Sequence, residues 1–142
     1  MIIWPAPAAR AAAEWWWQRL SNPVFDAGLE PGSVAETVQK LHAASAEPAP
    51  DQAREAFVAA CVRILCNPPR VYGGDRLACD YSPQGALDLA LREAGLGHLV
   101  DQSMVPFKSW AEIDETTGIV RAKGGYTAAV EVIYDPKQPV AA

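Results

Sequence analysis

Apolar residues recur with a period near 3.6 through the first two thirds of the chain and with a period of 2 through the last third. The 3.6 pattern predicts four helices. The first covers residues 7–20. Pro7 suits a first turn because its φ is already helical, and the alanines that follow are strong helix formers. Ser21-Asn22-Pro23 stops it, since the residue before a proline avoids the helical region. The second covers 34–44, where Ser33-x-x-Glu36 forms a capping box and Val34, Val38 and Leu41 fall on one stripe. The third covers 52–66 with Asp51 as its cap. Phe57, Val58, Cys61, Val62, Ile64 and Leu65 leave only Gln52, Glu55, Ala59 and Arg63 for an outer face, so this helix belongs at the centre of the core. The fourth is capped by Ser82 with Pro83 at its first position, turns Leu87, Ala90, Leu91 and Ala94 inward, and stops at Gly95.

Beyond Met104 the alternation of Val105, Phe107, Ala111 and Ile113 with Lys108, Trp110, Glu112 and Asp114 predicts a strand. Thr116-Thr117-Gly118 reads as a hairpin turn, residues 119–123 as a second strand and 126–134 as a third. On that last strand Ala128, Val130, Val132 and Tyr134 share a face. Residues 136–142 read as a loose tail. Between the third and fourth helices, 72–76 is a loop, and Leu77-Ala78-Cys79 is a short strand at most. Helices first and an antiparallel meander after them define an α+β domain: about four helices, then three strands, a single sheet layer on helices. Residues 1–142 form one domain, since Glu47-Pro48-Ala49-Pro50 is too brief for a boundary. The expected core includes Phe57, Val58, Cys61, Leu65, Leu87, Leu91, Val130 and Val132.

Composition narrows the function classes. With 50% apolar and 20% charged residues in a chain of 142, disorder, collagen and a coiled-coil rod are excluded. The net charge of −5 comes without a basic stripe, which argues against nucleic-acid partners. The apolar start is broken by Pro5, Pro7, Arg10 and Glu14, so neither a signal peptide nor a membrane partner is expected. Alanine richness and 8 Arg against 4 Lys are the usage of a high-GC bacterial or phage gene. The three cysteines, Cys61, Cys66 and Cys79, have no framework spacing and suit a reducing, cytoplasmic setting.

Candidate chemistry is sparse. His42 and His98 stand more than fifty residues apart, and no cluster has ligand spacing, so neither metal nor cofactor is expected. Cys79 precedes the fourth helix, with Arg76 near and His98 downstream, which permits either a cysteine nucleophile or a small core residue. Tyr72-Gly73-Gly74-Asp75-Arg76 lacks the helix and the Lys-Ser/Thr of a phosphate loop. Asp75, Asp80, Asp88, Asp114 and Glu131 are unpaired in sequence, and Glu112, Asp114 and Glu115 suit a solvated hairpin.

Trp15-Trp16-Trp17 is the most unusual feature. Consecutive helical residues step by about 100°, so three sweep about 200° of the helix. Either the helix is enclosed on two sides, or one indole faces outward, where Trp4 and Trp110 would extend the patch. An outward indole marks a contact surface. The leading expectation is therefore a protein without catalytic motifs that binds another protein or itself, as an inhibitor, an immunity-like factor or an accessory subunit. One alternative is a small enzyme or ligand-binding protein with a pocket at Tyr72, Asp75, Arg76, Cys79 and Asp80. Another is a homo-oligomer joined through the tryptophan helix. Shape separates them: a broad apolar patch around the first helix favours a partner, and a cavity with converging polar groups near Cys79 favours a ligand.

Overall fold

The computed structural model describes residues 3–21, 32–34, 37, 41, 49–67, 76–101, 105–125 and 128–138. Helix α1 runs Ala6–Ser21. A 3-10 turn, Asp51–Ala53, leads into α2, Arg54–Cys66. Strand β1 is Arg76–Cys79, followed by α3, Gly85–Glu93, and the short α4, Gly97–Asp101. Strands β2, Ser109–Ile113, β3, Val120–Gly124, and β4, Glu131–Tyr134, complete the chain order. The architecture is α+β.

Among the described residues the sheet has four strands, not three, in the order β1-β2-β3-β4, every pair antiparallel. The extra strand is the short Leu77-Ala78-Cys79 segment. It lies beside β2 with Leu77 opposite Ala111, although α3 and α4 separate the two in sequence. Alternation sends Leu77, Cys79, Ser109, Ala111, Val120 and Ala122 to one face, where all are buried against the helices.

Helix α1 lies between α2 and that inner face, which answers the tryptophan question. Trp15, Trp16 and Trp17 are 7%, 0% and 4% exposed, and Trp4 is 1% exposed. Each of the three reaches a different neighbour. The Trp15 Nε1–H donates to Glu131 Oε1 on β4 at 2.8 Å, and the Trp16 Nε1–H donates to the Leu77 carbonyl on β1 at 2.9 Å. Trp17 packs on Phe57 of α2 with ring centroids 6.1 Å apart. A helix covered on two sides hides the whole 200° arc, so the expected outward indole does not exist on α1.

The core expectation holds for Phe57, Val58, Cys61, Leu65, Leu87 and Leu91, all buried. It fails for Val130 and Val132, which are 52% and 57% exposed. The third predicted strand shortens to Glu131–Tyr134, and its register slips at a bulge between Val120 and Arg121. Tyr134 faces Val120 and Glu131 faces Ala122, whereas Val132 faces Arg121 on the outer side. A bulge inserts one residue and reverses the parity on which the one-face reading depended. Glu131, on the inner side of the strand yet exposed at the sheet edge, accepts from the Trp15 indole and pairs with Arg19 Nη2 at 3.9 Å.

Val34 and Leu41, read as an inward stripe, are exposed, and Val38 lies outside the described residues. Gln84, not Ser82, is the N-cap of α3, and Gly95 adopts the positive φ of 79° that its stopping role requires.

Candidate functional site

The face of the sheet opposite α1 carries two cross-strand rows. Arg76, Glu112, Arg121 and Val132 form one; Ala78, Trp110 and Lys123 form the other. Trp110 therefore has a methyl group on one side and a flexible lysine on the other. Beyond Lys123 the chain continues through Gly124 and Gly125, which add no side chain. Small neighbours around one large ring leave a hollow of about 300 Å³, with Trp110 in its wall.

One rim is built from bent backbone. Lys108 has φ 53°, a left-handed conformation that non-glycine residues adopt at a cost. Its N–H donates to the Asp80 carbonyl at 2.9 Å, and its own carbonyl accepts from Gly125 N–H at 3.3 Å. The Lys108 ammonium pairs with the Asp80 carboxylate and sits 4.6 Å from the Tyr81 ring centre. The hydrogen bond to Asp80 holds the Lys108 ammonium above the ordinary lysine range. Across the hollow, Arg76 Nη1 pairs with Glu112 Oε1 at 3.3 Å.

Three polar groups of the wall residues lack such partners among the described residues. Lys123 has no carboxylate within ion-pair distance. The Nε of Arg76 and the Oε1 of Gln84 are buried without a hydrogen-bond partner. Gln84 stands at the N-cap of α3, yet its side chain does not cap the helix. Both unpartnered atoms have essentially no accessible surface, so they lie beneath the wall and do not face the hollow.

Of the residues expected to form a pocket, Arg76, Cys79 and Asp80 line this hollow, while Tyr72 and Asp75 lie outside the described residues. Cys79 is not placed to attack a ligand. Its Sγ turns inward within 3.9 Å of the Val105 and Asp80 carbonyls, and burial, with the Asp80 charge adding, pushes its thiol up to about 12. Ser109 is buried with its hydroxyl donating to the Phe107 carbonyl at 3.1 Å. His98 lies on the exposed side of α4, away from the cavity wall. Of the carboxylates unpaired in sequence, the four among the described residues are engaged: Asp80 by Lys108, Asp88 by Arg92, Glu131 by Trp15, and Asp114 by the N–H groups of Thr116 and Thr117. The wall offers recognition groups without a nucleophile and base in contact.

Of the five tryptophans proposed for a surface, Trp110 alone stands on this open face; Trp4, Trp15, Trp16 and Trp17 are core. Gln84, Lys108, Ser109, Lys123 and Gly125 were not singled out from the sequence. The alternation that sets Lys108, Trp110 and Glu112 against Val105, Phe107 and Ala111 carried a usable signal. The pairing of β1 with β2, which closes the hollow, did not show in it.

Among the described residues no group of three His, Cys, Asp or Glu side chains can hold a metal ion, and no helix is long and apolar enough to cross a membrane. Comparison with protein-family models, with curated proteins and with solved structures finds no match to this chain.

Proposed function

We propose that this is a binding protein that takes a ligand on the open face of its sheet, in the hollow beside Trp110, without covalent chemistry from Cys79. The observation that carries this reading is the meeting in one wall of an indole and, directly across the strand pair, a lysine that has no carboxylate partner among the described residues. The absence of an outward indole on α1 removes the main support for docking a partner there. A fragment library screened by NMR against 15N-labelled protein tests the reading. Shifts should cluster at residues 76–80, 108–112 and 123–125, and Trp110→Ala should abolish them. Binders that map elsewhere, or none at millimolar concentration, would refute it.

A second reading keeps the protein partner, on a different surface. Strand β4 is an edge strand, with Val132 exposed on it and Val130 exposed just before it. Unpaired strand edges with apolar side chains recruit another strand, from a second copy or another protein. Sedimentation velocity decides the self-association case: a dimer broken by Val132→Lys would favour it, and a monomer up to about 100 μM, well above ordinary affinities, would count against it.

A further inference from the structure

Taking the Trp110 hollow as a ligand site, we infer that its ligand is a flat aromatic monoanion, with its ring on the indole and its charged group at Lys123. The chain as a whole is negative, at −5, yet this wall holds three cations against two carboxylates. Two of the cations are neutralised within the wall, Arg76 by Glu112 and Lys108 by Asp80. Lys123 is the surplus, and it lies directly across the strand pair from Trp110.

Residues paired across antiparallel strands have Cβ atoms about 5 Å apart. A ring stacked on the indole therefore carries its charged group to Lys123 when that group is attached directly or through one carbon. Ala78 on the other side of Trp110 leaves width for two fused rings, and a volume of about 300 Å³ suits a small molecule. The charge is limited to one. Glu112 and Asp80 flank the hollow, so a second negative charge would meet a carboxylate, and a polyphosphate would find a single cation to meet it.

The test compares 2-naphthoate, the uncharged 2-naphthamide and the non-aromatic cyclohexanecarboxylate by NMR titration at low ionic strength. The naphthoate should move the signals of Ala78, Trp110 and Lys123. The amide should bind at the same place about threefold to fivefold more weakly, the range of a solvent-exposed ion pair. Cyclohexanecarboxylate should bind more weakly than naphthoate for want of stacking. Lys123→Gln should bring naphthoate down to the level of the amide and leave the amide unchanged, and Trp110→Ala should weaken both. High salt should erase the naphthoate advantage by screening the ion pair. Equal binding of acid and amide in the hollow, or a naphthoate affinity unmoved by Lys123→Gln, would overturn the anion inference and leave the ligand site standing. If library fragments bind there and neither naphthyl probe does, the inference fails alone. If nothing binds there, the site fails with it.

Discussion

Trp16→Ala is the sharpest perturbation of the core. The indole of Trp16 is fully buried, stands edge-on to Trp15 at 5.4 Å and 89°, and donates to the Leu77 carbonyl at 2.9 Å. A buried tryptophan removes about 150–250 Å² from water, worth about 4–6 kcal/mol at about 25 cal/mol per Å². Measured core truncations of this kind cost about 3–5 kcal/mol. Leaving the Leu77 carbonyl without a donor adds to the loss, so about 4–5 kcal/mol is expected. Domains of this size hold about 5–15 kcal/mol in total, so the variant is close to unfolding. Trp16→Phe keeps most of the ring and deletes the N–H, and should cost about 1–3 kcal/mol. Urea unfolding followed by far-ultraviolet circular dichroism measures both. Trp110→Ala, on the open face, should cost about 1 kcal/mol or less in the same assay. A loss below about 1 kcal/mol for Trp16→Ala would refute the placement of α1 between two layers, because no enclosed indole is that cheap to remove.

Three further outcomes follow from the structure. In native protein at pH 8 an alkylating reagent should modify Cys66, which is half-buried, before Cys61 and Cys79, whose thiols burial holds protonated; rapid modification of Cys79 would contradict its inward orientation. The N–H groups of Thr116 and Thr117, with Arg121 adding, hold the Asp114 carboxyl below the usual range, so its contribution is present above about pH 4, the unfolded value, and is lost as pH falls through the folded one. Asp114→Asn should therefore flatten the acid limb of the stability profile, and an unchanged limb would count against those hydrogen bonds. Gly118 has φ 75°, and an added Cβ would meet Pro136 Cγ at 3.2 Å, so Gly118→Val should lower stability by about 1–2 kcal/mol in thermal unfolding.

The sequence made the helices legible where a stripe was bounded by a stop: Gly95 ends α3, the prolines after Asn67 follow α2, and Gln52, Glu55, Ala59 and Arg63 are all exposed, as the outer face of α2 requires. The hairpin at Thr116-Thr117-Gly118 was equally clear, since Asp114 and Gly118 carry the turn chemistry themselves. What escaped is set by partners distant in the chain. Strand β1 spans four residues, too few for alternation to register, and becomes a strand by pairing with β2. The register shift between Val120 and Arg121 reverses Val132, and no local residue announces it. The tryptophan triplet fixed the two possible environments of α1; choosing between them required knowing that the sheet covers the side α2 leaves open. At the candidate site, the nearness of Arg76 to a loop and of Asp80 to a helix start is what the sequence offers for two of the lining residues. Lys123 and Gln84 arrive from elements whose approach only the assembled sheet and α3 define.

Which indole meets solvent decides between the two surfaces, and fluorine NMR of protein labelled with 5-fluorotryptophan reads that directly. Five resonances are expected, one for each tryptophan, with Trp110→Phe assigning the one on the open face. Transfer from H2O to D2O should shift the Trp110 resonance and leave Trp4, Trp15, Trp16 and Trp17 nearly unmoved, and an aromatic ligand should move the same single resonance. A solvent shift at any of Trp15, Trp16 or Trp17 comparable to that of Trp110, or a ligand response confined to those three, would contradict the account and return the contact surface to α1.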